Sequence, residues 1–367
     1  MSAPADTSAR ATVSRRAVLG ATVGGIGAAG VVGLAAASSW PDSQTVSTGS
    51  GSTGHGSTGG GDGSSSSGVQ IDFSATPPDD WEPRDARLAA ATAETVRPLT
   101  VRATEVDGEV APGALQQLWT FDDVVPGPFY RGRVGDRFEF VLTNDGAVDH
   151  SIDFHASKVA WNDEMRSIAP GESLDYTFEA KHAGIFMYHC GTAPTLHHIG
   201  AGMYGAIVID PPDLAAVDHE FIFVQSEIYT GDSGAPGDLA KMQREAWDAV
   251  VFNGYVNQYL HRPIRVEPGE RVRAWVLDAG PSENCSFHIV GTIFDTVYKE
   301  GAYGLRPDAM QGGAQALDLQ PAQGGFVEFT FDEPGLYLMV THKFANVGKG
   351  ALGIFQAGDV EATGDGH

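Results

Sequence analysis

The chain has 367 residues, 47 of them glycine, and a formal net charge of −24 at neutral pH. That length accommodates two domains of ordinary size, each with its own core. The negative charge argues against nucleic acid as a partner, whose phosphates would be repelled, and favours a basic protein partner. With 19% charged residues, abundant glycine and little helical periodicity, the composition favours an all-β protein.

The first 40 residues have the pattern of an export signal. Arg15 and Arg16 stand directly before an apolar stretch of Ala, Gly and Val that reaches to about residue 37. The arginine pair resembles a twin-arginine signal, although Val18 stands where Phe is usual. An ordinary secretory signal and an uncleaved membrane anchor, for which the stretch is long enough, are the alternatives. We therefore expect an exported protein, periplasmic or extracellular, either free or tethered to the membrane by this segment.

Residues 41–94 are predicted to form a flexible linker and lead-in. Gly and Ser predominate from 42 to 68 without an apolar pattern, which is typical of a flexible tether. The folded part is predicted to begin near Thr95 and to end near Gly358, so that residues 359–367 form a tail.

From Arg97 onward, short segments alternate apolar and polar residues between Gly and Pro breaks, which is typical of β-sandwiches. One stretch, from about Asp238 to Ala249, has a helical pattern and is interpreted as a connection between strands. The predicted strands are Phe138–Thr143, Leu174–Phe178, Phe221–Val224, Arg271–Val276, Val327–Phe331 and Leu336–Val340.

The chain also contains an internal repeat. PGPFYRGRVGD followed by HSIDFH in the first half corresponds to RPIRVEPGE followed by CSFHIV in the second half. The repeat predicts one β-sandwich from each half, residues 95–212 and 213–358, with a boundary near Pro211 and Pro212.

The aligned copies differ at the residues that bind metals. The first copy has His150 and Cys190 where the second has Cys285 and Thr341. A soft metal site can therefore be built only in the first copy. Cys285 is interpreted as a small buried hydrophobic residue, and a disulfide between the two cysteines is the less favoured alternative.

The segment FMYHCGTAPTLHHIGAGM, which ends at Met203, concentrates side chains that bind soft and borderline metals. Cys190, His198 and Met203 follow the spacing Cys-x7-His-x4-Met, and His150 supplies a second imidazole from the end of an earlier strand. Two imidazoles, a thiolate and a weak thioether are the ligands of a blue-copper electron-transfer centre. His197 competes with His198, but the spacing to Met203 favours His198.

The adjacency of His189 and Cys190 predicts a second site. Successive side chains of a strand point to opposite faces, so His189 points away from the copper if Cys190 points toward it. His155 is available as a partner, and His342, in phase with His189 in the repeat, is the best candidate for a third imidazole. Three neutral histidines with an open position are typical of a catalytic metal.

Four stretches, HSIDFH, YHC followed by HHIGAGM, SFHIVGTIFDTVY and THKFANVGKGALG, resemble the copper-containing nitrite reductases. The resemblance extends from about residue 97 to 356. It implies two tandem cupredoxin-like Greek-key β-sandwich domains, with one copper of each of two types in every subunit. By resemblance, the type 1 copper ligands are His150, Cys190, His198 and Met203, and the type 2 copper ligands are His155, His189 and His342.

In that family the type 2 site lies between subunits of a homotrimer, so His342 would complete a neighbouring chain's site. The family's two catalytic residues beside this copper fall on Asp153 and His288, which the repeat aligns with each other. The implied reaction is the one-electron reduction of nitrite to nitric oxide. A small blue-copper protein or a cytochrome c would donate the electron, which would pass from Cys190 to His189.

Two other functions are alternatives. A laccase-like multicopper oxidase, which reduces oxygen, needs several His-x-His pairs for a three-copper cluster. The sequence has none, and Gly191 follows Cys190 where such an enzyme needs His. A blue-copper electron carrier would leave His155, His189 and His342 without a role.

The segment after His155, ASKVAWNDEM, departs from the small, Gly-rich stretch of many family members. Trp161 and Met165 either reshape the path to the catalytic copper or serve as packing. The departure bears on the identity of the substrate more than on the metals.

Overall fold

The computed structural model describes residues 68–307 and 312–360. The predicted export signal at residues 1–40 and most of the Gly/Ser-rich linker lie outside the described residues. In the part of the chain that is described, no helix is long and apolar enough to cross a membrane.

The described residues are mostly β-strand, as predicted, and the strands alternate buried and exposed side chains where one face is solvated, as in the strand from Ser173 to Glu179. The strands in chain order are Val96–Ala111 (β1), Ala114–Phe121 (β2), Tyr130–Arg133 (β3), Arg137–Asn144 (β4), Asp153–Phe154 (β5), Ser173–Glu179 (β6), Gly184–His189 (β7), Tyr204–Asp210 (β8), His219–Ile228 (β9), Ala249–Phe252 (β10), Ile264–Val266 (β11), Arg271–Gly280 (β12), Cys285–Ile289 (β13), Thr296–Lys299 (β14), Ala302–Leu305 (β15), Leu317–Leu319 (β16), Gly324–Thr330 (β17), Gly335–Thr341 (β18) and Leu352–Ala357 (β19). The helices are Trp161–Glu164 (α1), Thr195–Gly200 (α2), Leu239–Gln243 (α3), Gln258–His261 (α4) and a 3-10 helix at Phe344–Lys349.

The first eight strands form two sheets, ordered β2-β1-β4-β6 and β3-β8-β7-β5. Aromatic side chains fill the space between these sheets. Phe138 stacks on Phe178 with ring centroids 5.1 Å apart, and Phe154 stacks on Tyr188 at 4.9 Å. Cys190 is buried in this same core, so the fold brings its thiol into a dry interior.

The later strands also form two sheets, ordered β10-β9-β12-β17-β14-β15 and β11-β19-β18-β13-β16. Phe223, Phe287 and Phe355 lie in the core that these sheets enclose. The strand orders are not sequential, as Greek-key connections require. The predicted fold class, all-β with two β-sandwiches, is confirmed. The exact domain bounds at residues 95–212 and 213–358 stay predictions.

The strand register reproduces the repeat at the positions that matter for chemistry. Asp153 on β5 pairs with His189 on β7, and His288 on β13 pairs with Val340 on β18. The alignment of Asp153 with His288 therefore corresponds to equivalent places in the two sandwiches. A further apolar cluster joins β7 to the second sandwich through Met187 and neighbouring side chains.

The predicted helix from Asp238 to Ala249 is wrong over most of its length. The Asp238 carboxylate caps α3 by accepting the backbone N–H groups of Ala240 and Lys241. The helix ends after five residues, and Glu245 adopts a left-handed conformation with φ of 54° that interrupts any continuation. Ala249 begins β10, whose four residues are all buried against β9.

Packed residues also precede Thr95, near which the folded part is predicted to begin. Ala86 and Leu88 are buried, and Arg87 forms a bridge with Phe221 at the edge of β9. The Leu88 N–H donates to the Glu220 carbonyl at 3.0 Å. This segment is too short to show an alternating pattern, so the sequence carries no strand signal there.

Candidate metal centres

The first group of donors is assembled by a loop, a strand end and a short helix. His150 lies in the loop after β4, Cys190 directly follows β7, and His198 lies on α2. Two backbone hydrogen bonds connect Met203 to the other residues of this segment. The Met203 N–H donates to the His198 carbonyl at 3.0 Å, and the Cys190 N–H donates to the Met203 carbonyl at 3.1 Å. Met203 is itself fully buried.

The polar atoms of this group converge on one point. The Cys190 Sγ lies 3.2 Å from His198 Nδ1 and 3.9 Å from His150 Nδ1, and the two Nδ1 atoms are 3.3 Å apart. All three residues are buried. One sulfur and two imidazole nitrogens that face each other in a buried position have the donor chemistry of a soft metal site.

The electrostatics of this group match a metal site. Burial lowers the pKa of His150, and burial together with His150 and His197 lowers the pKa of His198 to about 4. Both rings are therefore neutral at neutral pH, as metal binding requires. Burial raises the pKa of the Cys190 thiol, so a cation is needed to stabilise the thiolate.

Two residues beside this group have no sequence signal of their own. The Ser151 N–H donates to Cys190 Sγ at 3.3 Å, and only its neighbour in the chain, His150, points to this place. Trp119 on β2 packs its ring 4.7 Å from the His198 ring and 5.9 Å from the His150 ring. Trp119 comes from a strand far away in sequence, so only the fold reveals this contact.

The second group is built around His189, the last residue of the same strand, β7. His155 Nε2 and His189 Nε2 are 3.0 Å apart, and the Asp153 Oδ2 is 4.0 Å from His189 Nε2. The His155 N–H donates to the Met187 carbonyl at 3.0 Å, which fixes the short chain segment after β5 against β7. His155 is exposed, while Asp153 and His189 are half-buried.

A neighbouring carbonyl orients the ring of His189. Its Nδ1 lies 3.0 Å from the Cys190 carbonyl oxygen, so Nδ1–H donates there and Nε2 keeps a free lone pair. Desolvation and the facing ring of His189 lower the pKa of His155, which keeps that ring neutral. The two imidazoles therefore present their Nε2 atoms to a common point near a carboxylate.

His342 is not part of this second group in the described residues of one chain. It follows β18, its N–H donates to the Ser286 carbonyl at 2.6 Å, and its side chain is exposed. Its ring centroid lies 5.5 Å from that of His288 and 4.7 Å from that of Phe344. His288 Nδ1–H donates to the Gln315 carbonyl, and no hydrogen bond joins its Nε2 to a described residue. The predicted site residues thus divide into two groups of donors and one separate histidine pair.

A buried acidic pair anchors the turn that carries His342. Glu283 accepts hydrogen bonds from Lys343 Nζ and, at 3.2 Å, from Asn346 Nδ2. Glu227 lies beneath it and accepts the Tyr229 hydroxyl at 2.5 Å and the Glu283 backbone N–H. The turn is therefore fixed from below while its histidine stays exposed.

We expect Glu227→Gln to flatten the pH dependence of folding stability. Burial raises the pKa of Glu227 from 4.5 to about 7. The free energy of unfolding is therefore highest below pH 4.5, where Glu227 is protonated in both the folded and the unfolded state. It falls as the pH rises through about 7. Removing the ionisable group should remove up to about 3 kcal/mol of this loss. Urea unfolding at pH 5 and pH 8 measures it, with the exposed Glu179→Gln as control. An unchanged pH dependence in Glu227→Gln would contradict the prediction.

The segment ASKVAWNDEM after His155 has packing as one of its two interpretations. The structure supports that interpretation only in part. Trp161 begins α1 and its side chain is 76% exposed, whereas Met165 is half-buried. Packing therefore accounts for Met165 only in part and does not account for Trp161 within one subunit.

The remaining residues set aside as ligands lie outside both groups. His197 Nε2 hydrogen-bonds the Gly237 carbonyl at 2.9 Å. Cys285 is buried and unpaired, with no disulfide to Cys190. In the described ranges, only the two groups bring three His, Cys, Asp or Glu ligand atoms within metal-binding reach of one another.

The chain is similar to known copper proteins. The multicopper oxidase family matches residues 102–214. A copper-containing nitrite reductase of Neisseria gonorrhoeae is 38% identical over 253 residues, which cover 66% of this chain and 63% of that relative. A solved copper nitrite reductase from Nitrosomonas europaea is 34% identical with a TM-score of 0.66, covering 72% of this chain and 94% of that one. A solved multicopper oxidase is 27% identical with a TM-score of 0.63, and the match covers 79% of this chain and 98% of that one.

The two sandwiches and the two groups of donors define a two-domain, cupredoxin-like copper protein. Within that class, the chain belongs to the copper-containing nitrite reductase family. The resemblance predicted from sequence is thereby confirmed, and copper is the metal that the family implies. The chain spans 63% of the length of the Neisseria relative.

Proposed function

We propose that this protein catalyses the copper-dependent, one-electron reduction of nitrite to nitric oxide. The observation that carries the proposal is the junction at His189 and Cys190. Two groups of donors of different chemistry, one buried and sulfur-containing and one open and imidazole-rich, meet at adjacent residues of one strand end. Family membership supports the same reaction.

The buried group fits a type 1 copper. His150, Cys190 and His198 supply the two imidazoles and the thiolate, and the buried Met203 supplies the weak thioether. The N–H of Ser151 donates to the thiolate sulfur and helps to hold it in place. Such a site transfers electrons and does not need an open position for a substrate.

The open group fits a type 2 copper that needs one more ligand. His155 and His189 present their Nε2 atoms to one point, and a third imidazole would complete a catalytic site. His342 is exposed and stands apart from this pair in its own chain. We infer that it is contributed by a neighbouring subunit of a homotrimer. The ring of Phe344 lies 4.7 Å from that of His342, and its side chain is 59% exposed, which favours burial of this surface in an assembly.

Copper bound at these sites supplies one-electron redox chemistry and, at the open site, Lewis acidity toward nitrite. The reaction combines nitrite, one electron and two protons to give nitric oxide and water. The peptide unit between Cys190 and His189 connects the two groups covalently. Asp153, whose Oδ2 lies 4.0 Å from His189 Nε2, can hold one proton beside the bound anion. His288, whose Nε2 has no hydrogen bond to a described residue, can hold the other.

Oxygen reduction is a second candidate, favoured by the match to the multicopper oxidase family. A trinuclear copper cluster needs many more imidazoles than the open group contains. The described residues hold only two groups of candidate ligands, and the whole sequence has no His-x-His pair. Nitrite reduction is therefore the better-supported function.

The net charge and the N-terminal sequence support a proposal for the class of electron donor and for the cellular location. With a net charge of −24, the protein is expected to bind a donor with a basic docking face, either a small blue-copper protein or a cytochrome c. The arginine pair before the apolar stretch supports export to the periplasm or the cell exterior.

Metal analysis and visible spectroscopy of the purified protein, followed by nitrite and a reduced donor, test the proposal. We expect two coppers per chain, an intense blue absorption and release of nitric oxide. Oxygen consumption without nitric oxide would favour the oxidase. A single copper with blue colour and no turnover would identify an electron carrier.

A further inference from the structure

An acidic side chain lies behind one of the proposed type 1 ligands. Glu105 on β1 directs its Oε1 into the loop that carries His150. That oxygen accepts the N–H groups of Ala147 and Val148 at 2.9 and 3.2 Å and lies 3.7 Å from His150 Nε2. The Glu105 side chain is 15% exposed, so solvent screens its charge only in part.

The ring nitrogen that faces Glu105 has no other partner. His150 Nε2 is fully buried and makes no hydrogen bond to any described residue. If Nδ1 binds copper, Nε2 must carry the ring proton. That N–H then points toward a carboxylate, and a movement of less than about 1 Å would make it a charge-assisted hydrogen bond.

The local backbone keeps the two groups close. Gly146 lies in the turn between them, and a Cβ there would meet His150 Nε2 at 3.0 Å and Glu105 Oε1 at 3.1 Å. The space for a direct contact therefore depends on this residue having no side chain. Glu105 also pairs in register with Trp119, so the β1–β2 hairpin brings two side chains against the same group.

We propose that Glu105 is a positioning residue that holds the His150 loop and sets the reduction potential of the type 1 copper. A carboxylate that accepts the distal N–H of a ligating histidine increases the basicity of that ligand. A nearby negative charge also favours the more positive oxidation state of the metal. Both effects stabilise the oxidised copper and lower its potential. The inference rests on the proposed function, because it requires a type 1 copper at this group.

The test is a redox titration of the blue absorption in Glu105→Gln. Glutamine keeps an oxygen for the two loop N–H groups but removes the charge. We expect the ratio of reduced to oxidised copper at a fixed mediator potential to rise at least about tenfold, which corresponds to about 59 mV for one electron. Copper content and the wavelength of the blue band are recorded alongside, since loss of position alone would change these.

Glu109→Gln is the matched control. Glu109 lies on the same strand, is exposed, and accepts the Gly113 N–H. Glu109 lies four residues along the strand, about 13 Å from Glu105. That distance exceeds the screening length at physiological salt. A blue Glu105→Gln variant with an unchanged potential would overturn the inference, as would an equal shift in Glu109→Gln.

If the Glu105→Gln variant does not bind the type 1 copper, the same redox titration of Gly146→Ala tests the inference. The added methyl group would separate the carboxylate from the ring without changing any charge. A raised potential supports the inference, and an unchanged potential overturns it. If the wild-type protein has no blue absorption at all, the proposed function fails instead, so the two failures are distinguishable.

Discussion

Replacing His342 by Ala will remove one copper from each chain and leave the blue absorption intact. The proposed type 2 copper depends on this imidazole, whereas the buried group at Cys190 does not contact it. Turnover of nitrite should fall at least about 10³-fold, because a catalytic metal contributes several kcal/mol of transition-state stabilisation. Copper per chain, the visible spectrum and nitric oxide release are the measurements.

The exposed His182→Ala is the control for loss of a histidine on the surface. It should keep both coppers and full turnover. If the blue colour disappears with His342, the proposed division of ligands between the two coppers is wrong. If copper content stays at two per chain, His342 is not a ligand.

Mixed trimers test whether His342 acts on a neighbouring chain. Neither His342→Ala nor His155→Ala alone can build the open site. In a cyclic trimer that contains both variants, one interface combines the intact His155 of one chain with the intact His342 of the next. Random co-assembly should therefore restore about a quarter of the sites. A site built within one chain would recover none.

The buried group could be predicted from sequence because most of it is local. Cys190 follows β7, His198 lies on α2 and Met203 lies between α2 and β8, and backbone hydrogen bonds join them directly. The spacing in the sequence is therefore enough to predict that these side chains lie close together. Strand alternation likewise indicated that His189 and Cys190 face opposite sides, and the two residues do belong to different groups of donors.

The residues that surround the ligands could not be predicted because they are distant in sequence. Glu105 and Trp119 reach the buried group only because β1 and β2 pair in a particular register. The acidic residues Glu227 and Glu283 are brought together by the folding of separate strands. No spacing rule connects such positions, since each depends on the tertiary fold.

The predicted helix from Asp238 to Ala249 is wrong for a different reason. Residues after Gln243 have a helical composition, but the chain turns at Glu245 and the following apolar residues add a strand to β9. Burial of Ala249–Phe252 in a sheet stabilises the fold more than the few helical hydrogen bonds they would make. Helix propensity is a weak preference, and tertiary packing overrides it here.

Asp153→Asn is expected to keep both coppers and the blue absorption but to slow nitric oxide release by about 10²- to 10⁴-fold. Asparagine matches aspartate in shape and cannot donate a carboxyl proton. The exposed Asp175→Asn on β6, in the same sandwich, is the matched control and should be unaffected. Single-turnover rates and copper content separate a loss of proton delivery from a loss of metal.

The double variant with His288 replaced by Asn extends the argument. Asp153 and His288 come from equivalent strands of the two sandwiches, and His288 lies beside His342. In the proposed trimer, His288 would accompany His342 into the neighbouring subunit's site, where Asp153 and His288 would serve one reaction that consumes two protons. Residues that act as a unit are not additive, so the double variant should be about as slow as the slower single variant. Unchanged turnover in Asp153→Asn would remove its proton role, and fully multiplicative losses would mean that the two residues act independently.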